Sequence, residues 1–189
     1  MKILICGDSF ASDWQVRYPD KQGWPNLLAE QHDVVNLAQA GCSEYKILLQ
    51  LTSADLTSFD CVIVSHTSPY RIPVKTHPVH ARDPLHNASD LIYTDIKEHS
   101  RTNKRLLPLV EYFEQYFDND YAEFVHRLMV KEICSRVNEH NVLHITHIGN
   151  PEFTSFETVF NAHRGLMNHY TDEGNRIVCE KINARLAQR

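Results

Sequence analysis

Three short apolar runs constrain this chain more than any other feature of it. Ile3, Leu4 and Ile5 follow Lys2; Val34 and Val35 lie between Asp33 and Ala38; Cys61, Val62, Ile63 and Val64 lead into Ser65. Runs this short, β-branched and apolar at consecutive positions, suit strands buried on both faces, as in a parallel sheet covered by helices. The first run ends in Cys6, Gly7, Asp8 and Ser9, and a helix is predicted from Trp24 to Gln31, with Pro25 in its first turn. The second ends in a turn from Gln39 to Ser43, with Ser43 placed to cap a helix from Glu44 to Thr52. Three βα units in succession predict a doubly wound α/β sandwich.

The pattern then changes. From Pro69 to about Arg105 the chain is rich in Pro, His, Asp, Asn and Lys and has no sustained period. An irregular insert of that length suggests a lid, or a contact through which copies of the chain associate. Helical spacing returns from Leu106 to Phe117 and from Tyr121 to His140, interrupted at Asp118, Asn119 and Asp120. Phe124, Val125, Leu128, Met129, Ile133 and Val137 form an apolar stripe on the second of these, read as core packing. A fourth strand is expected from Asn141 to His147, a turn at Gly149, Asn150 and Pro151, and a short fifth strand within Phe153 to Phe160. The last helix is expected from Thr171 to Ala187, with Ile177, Val178, Ile182 and Leu186 facing inward.

At 189 residues one domain spanning 1–189 is expected, large enough for a core without covalent staples. A net charge of -5 argues against a general nucleic-acid binder. No apolar run approaches the roughly 18 residues of a membrane span, and Lys2 leads into a strand rather than a signal peptide. Cys6, Cys42, Cys61, Cys134 and Cys179 are odd in number and lack paired spacing, which fits reduced thiols in a cytoplasmic protein. His77, His80 and His86 lie in the insert with Asp83 and Asp90, which invites a metal. Zinc needs three or four ligands fixed in a tetrahedron. A loop without regular structure offers no such frame, so neither metal nor cofactor is expected. His144 and His147 point to opposite faces of the fourth strand.

Ser9 is the first candidate for chemistry. A serine just beyond a parallel strand sits where α/β sheets present ligands, with backbone N–H groups nearby to stabilise an oxyanion. The alternative is that Ser9 only caps the next helix.

Gly7, Asp8 and Ser9 after the first strand, Gly41 in the turn after the second, and His169 just before the final helix resemble blocks I, II and V of the SGNH (GDSL-type) hydrolase superfamily. The resemblance implies a three-layer α/β/α, flavodoxin-like fold with a mostly parallel sheet. It implies Ser9 as nucleophile, His169 as its base, and the backbone N–H groups of Ser9 and Gly41 as oxyanion donors. A serine hydroxyl needs such a base, and an imidazole titrates near working pH. Two positions depart from the family pattern. Leu166 stands where an acid usually precedes the histidine by three residues, leaving Asp172, Glu173 or a backbone carbonyl to orient it, or a Ser–His dyad. After the third strand, where the family has Gly-x-Asn-Asp, this chain reads from Ser65 to Arg71 without Asn. Thr67 is then the candidate donor, and Asp8, His66, Ser68 and Arg71 are candidates for substrate contacts. Arg71 would favour a carboxylate or phosphate on the substrate.

The function implied is hydrolysis of a small ester, such as an O-acetyl group, on a small molecule or carbohydrate. The alternatives are O-acyl transfer by the same pair, and a binding or assembly protein that keeps the fold without the chemistry.

Overall fold

The computed structural model describes residues 1–148, 152–165 and 169–188. The turn read at Gly149, Asn150 and Pro151, and Leu166, lie outside them. The main sheet contains β1 (Lys2–Gly7), β2 (Asp33–Asn36), β3 (Cys61–His66), β6 (Val142–Thr146) and β7 (Thr154–Ser155). Its order is β2-β1-β3-β6-β7, and every neighbouring pair is parallel. That is the flavodoxin-like order, with its switch point between β1 and β3.

Alternation along each strand divides the core in two. Ile3, Ile5, Ile63, Leu143 and Ile145 join one buried cluster, which α1 (Trp24–Ala29) and α7 (Asp172–Leu186) complete with Trp24, Leu28, Val178 and Ile182. Leu4, Cys6, Val62 and Val64 join the other, completed by Ile47 and Leu51 of α2 (Glu44–Thr52) and by Ile133 and Val137 of α5 (Asn119–Val137). Consecutive apolar residues were the sign of this two-sided burial. None of the five cysteines is in a disulfide. Among the described residues no helix is long and apolar enough to cross a membrane.

Two expectations need correction. The insert is not irregular throughout. It forms an antiparallel pair, β4 (Arg71–Ile72) with β5 (Leu91–Ile92), and continues into α3 (Tyr93–Ser100). Leu91, Ile96, Leu106 and Val110 give it a small core shared with α4 (Leu107–Gln115). Strands of two residues and a helix carrying Thr, Asp, Lys, Glu and His leave almost no periodic signal. The apolar stripe of α5 is buried only toward its carboxyl end: Phe124 is 51% exposed and Leu128 45%. A helix of 19 residues spans about 28 Å, longer than the sheet's strands, so one half overhangs. The short fifth strand expected within Phe153 to Phe160 is present as two residues, after which the chain turns into α6 (Glu157–Ala162).

Candidate active site

The turn after β1 is built around Asp8. Its Oδ1 accepts from the Phe10 N–H (3.1 Å), and its backbone carbonyl accepts from Ala11 N (3.0 Å) and Ser12 Oγ (2.9 Å). Its Oδ2 accepts from Thr67 Oγ1 at 2.6 Å and from an Arg71 nitrogen at 2.8 Å. Gly7 lets this turn start close to β3, since a Cβ there would lie 2.6 Å from Ser65 Cβ. Ser9 follows at the switch point, largely buried. Among the described residues its Oγ makes no hydrogen bond, and the N–H groups of Ser9 and Gly41 donate to no other residue. Ser9 caps no helix, because Trp24 begins the first α-helix.

Three cavities, of about 570, 480 and 420 Å³, surround this turn. Among the described residues, Ser9 and His169 are the two that line all three. His169 directly precedes Tyr170, which bridges to Arg164 and is followed by Thr171, the cap residue of α7. Its ring packs at 4.6 Å from that of Trp14 and 5.0 Å from that of Phe10. Trp14 Nε1 donates to the carbonyl of Ser9 at 3.0 Å, so one indole holds both the serine turn and the imidazole.

Gly41 adopts φ 75°, and it lines the 420 Å³ cavity with Ser9. What approaches it is Ser89 of the insert, whose Cβ would be 2.9 Å from a Cβ at position 41. Glycine is required there both by the left-handed backbone and by this neighbour. Arg71 lines the 480 Å³ cavity, but its guanidinium is engaged by Asp8 and by the carbonyl of Cys42 (2.5 Å). Asp8 lines none of the three, and its carboxylate is occupied by the Phe10 N–H within the turn and by Thr67 and Arg71 beyond β3.

The remaining expected site residues lie elsewhere. Thr67 has its hydroxyl on Asp8 and its N–H on Glu44 (3.1 Å), so neither donor faces Ser9. His66 belongs to a buried chain on the α2 and α5 side: its Nδ1 meets Glu44 Oε1 at 2.5 Å and its Nε2 meets His144 Nδ1 at 2.8 Å. Ser68 lines a separate groove beside α4 and α5. Asp172 is the exception among them: it lines the 570 Å³ cavity with Ser9 and His169, its side chain 79% exposed and 3.6 Å from Lys21.

Sequence reasoning left three residues of this centre unassigned: Trp14, His147 and Tyr170. His147 is buried, stacked on Phe10 at 4.6 Å, with Nε2 at 3.1 Å from Ser65 Oγ and Nδ1 at 2.6 Å from the Tyr170 hydroxyl. Tyr170 directly follows His169, so His147 anchors the segment that carries the imidazole. The sign available in sequence was a histidine just beyond the fourth strand, on the face that also holds Ile145 and Leu143.

Burial pushes the His147 imidazole from 6.5 down to about 4; Asp8 opposes this and His169 adds to it. The unfolded chain takes up this proton near 6.5 and the folded protein only near 4, so folding stability rises with pH across that window. Acidification from pH 7 to 4 should remove about 3 kcal/mol through this group. His147→Phe should flatten that part of the slope in urea unfolding measured at several pH values. Burial also pushes the Tyr170 phenol far above its usual value, so it stays neutral.

No family model matches this chain, and no curated protein does. Among solved structures, one match is a protein from Bacteroides fragilis NCTC 9343 described as an acylhydrolase, at 10% identity, covering 99% of this chain and 86% of the other, with a TM-score of 0.42. Another is a protein from Desulfitobacterium hafniense DCB-2 described as lipolytic and of the G-D-S-L family, at 15% identity, covering 95% of each chain, with a TM-score of 0.36. At that level of likeness the chemistry has to be read from this chain's own geometry.

Proposed function

We propose that this protein is a serine acyl-ester hydrolase of SGNH type, acting on a small ester such as an O-acetyl group through an acyl-enzyme on Ser9. The observation that carries the reading is the convergence of three cavities on two residues, a serine with an uncommitted hydroxyl and a histidine. In this mechanism the His169 imidazole takes the proton of Ser9 Oγ as the oxygen attacks the ester carbonyl. Negative charge on the carbonyl oxygen is met by the N–H groups of Ser9 and Gly41, which donate to no other residue among those described. The protonated imidazole then gives its proton to the departing alcohol. Water repeats the sequence in reverse and frees the acid. Trp14 and Phe10 pack against the His169 ring and fix its position beside the serine turn.

The reading is tested with an active-site-directed fluorophosphonate. A single phosphonyl group should attach to wild-type protein at Ser9 and none to Ser9→Ala; an unlabelled wild type would favour a binding protein.

A second reading, acyl transfer to an alcohol, draws on the docking of the insert. Asp90 N donates to Gly41 O at 3.0 Å, Ser89 Oγ to Ala40 O at 2.8 Å, and the Asp90 carboxylate accepts from Ser43 N at 2.7 Å and pairs with Lys46. Arg17 pairs with Asp83 from the opposite side. This wall over the 420 Å³ cavity limits water around the acyl group. Added polyols should divert product from free acid to acylated polyol under the transfer reading and leave the acid yield unchanged under hydrolysis.

A further inference from the structure

We propose that the insert carries a zinc site, formed by His77 Nε2, His80 Nε2 and the carboxylate of Asp95. The ligand atoms of these three residues lie within 4.8 Å of one another. His80 Nε2 is 3.0 and 3.1 Å from the two Asp95 oxygens, and His77 Nε2 is 3.5 Å from Oδ2. Those edges match a tetrahedron whose zinc–ligand distances are about 2.0–2.1 Å, with an edge of roughly 3.3 Å. The two imidazoles stack at 4.7 Å with planes 20° apart, so both present Nε2 to one carboxylate.

An independent observation points to a ligand. His77 is 1% exposed, and among the described residues its Nε2 has no hydrogen-bond partner. A buried ring nitrogen left unsatisfied is destabilising, and a metal is what such an atom accepts in place of water. The metal grouping weighed and set aside in the sequence placed these histidines with Asp83 and Asp90. These carboxylates are occupied by Arg17 and Lys46, and the one that meets the histidines is Asp95 of α3. His99, one turn further along α3, reaches Asp95 Oδ1 at 3.3 Å and steadies it from outside the trio.

Uptake has a definite chemistry. In the metal-free protein His77 Nδ1 accepts from the N–H groups of Val79 and His80, both at 3.2 Å, so its proton resides on Nε2. Zinc displaces the Nε2 proton of each histidine: on His77 it moves to Nδ1, which releases those two long contacts, and the Nε2 proton that His80 gives to Asp95 moves to that ring's own Nδ1. Two imidazoles and one carboxylate leave at least one coordination position open. His80 and Asp95 line the cavity that also holds Ser9 and His169, whereas His77 does not, so the open position faces that cavity. A ligand entering it would offer the metal an oxygen of a hydroxyl or carboxylate. The site does not depend on the hydrolase reading, since it rests on residues of the insert alone.

The test is a zinc titration of chelator-treated full-length protein followed by imidazole nitrogen–proton NMR. The expected result is saturation at one equivalent, with the His77 ring changing tautomer and the His80 ring shifting, while His32, His140 and His163 stay in place. Absence of saturable change, or changes confined to those other histidines, would overturn the proposal. Asp95→Asn should weaken zinc binding by ~100-fold or more while circular dichroism stays native. If that variant unfolds, His80→Gln provides the same comparison, and a variant that folds and binds zinc as tightly as the wild type also overturns the site.

Discussion

Ser9→Ala should abolish ester hydrolysis while leaving the protein folded. With p-nitrophenyl acetate the rate should fall by about 10³-fold or more toward the level of buffer, since the mechanism passes through acylation of Ser9. His169→Ala should fall by a similar factor, because a nucleophile and its base act as one unit and removing either removes most of the effect. The stability side is just as specific. Ser9 Oγ makes no hydrogen bond among the described residues, so its removal leaves no group unsatisfied. The unfolding midpoint of Ser9→Ala should therefore stay within about 0.5 kcal/mol of the wild type. A variant that keeps its activity, or that loses it only by unfolding, would remove Ser9 from the mechanism.

Asp8→Ala should do the reverse and strike stability first. The carboxylate is 1% exposed and receives the Phe10 N–H, the Thr67 hydroxyl and the Arg71 guanidinium. Removing it strands a guanidinium whose side chain is only 10% exposed, with the Cys42 carbonyl as its remaining partner. Breaking a buried pair in this way typically destabilises by about 3–5 kcal/mol. Taking out both charges together is milder, so Asp8→Ala with Arg71→Met should recover part of the loss. Urea midpoints of the wild type, both single variants and the double variant form the cycle that reads this. If Asp8→Ala alone were neutral, the turn would not depend on the pair, and Arg71 would be released as a substrate contact.

Much of the sheet was legible in the sequence because its determinants are local. Ile3 to Ile5 and Cys61 to Val64 signal two-sided burial with no reference to their partners, and Gly7 and Gly41 mark positions where a side chain meets Ser65 or Ser89. The pairing of Ser9 with His169 was reached through resemblance, since nothing local in either segment names the other across the chain. What could not be read depends on long-range contact. Thr67 and Arg71 were placed in the pocket by their nearness to the end of β3, yet both turn to Asp8, a partner about sixty positions earlier. Asp172 was a candidate for its closeness to His169 in sequence, and it lines the same 570 Å³ cavity, at its exposed rim beside Lys21. The insert illustrates the same limit. Asp83 and Asp90 looked like companions for its histidines because they are neighbours along the chain, whereas α3 brings Asp95 to them in space.

The two readings that involve chemistry share one intermediate, and the third lacks it. Intact mass spectrometry of the protein, quenched in acid shortly after mixing with p-nitrophenyl acetate, observes that intermediate directly. The mechanism predicts that wild-type protein gains the mass of one acetyl group, that peptide mapping places it on Ser9, and that Ser9→Ala gains none. An acetyl group found on another residue, or formed equally in the wild type and in Ser9→Ala, would contradict it.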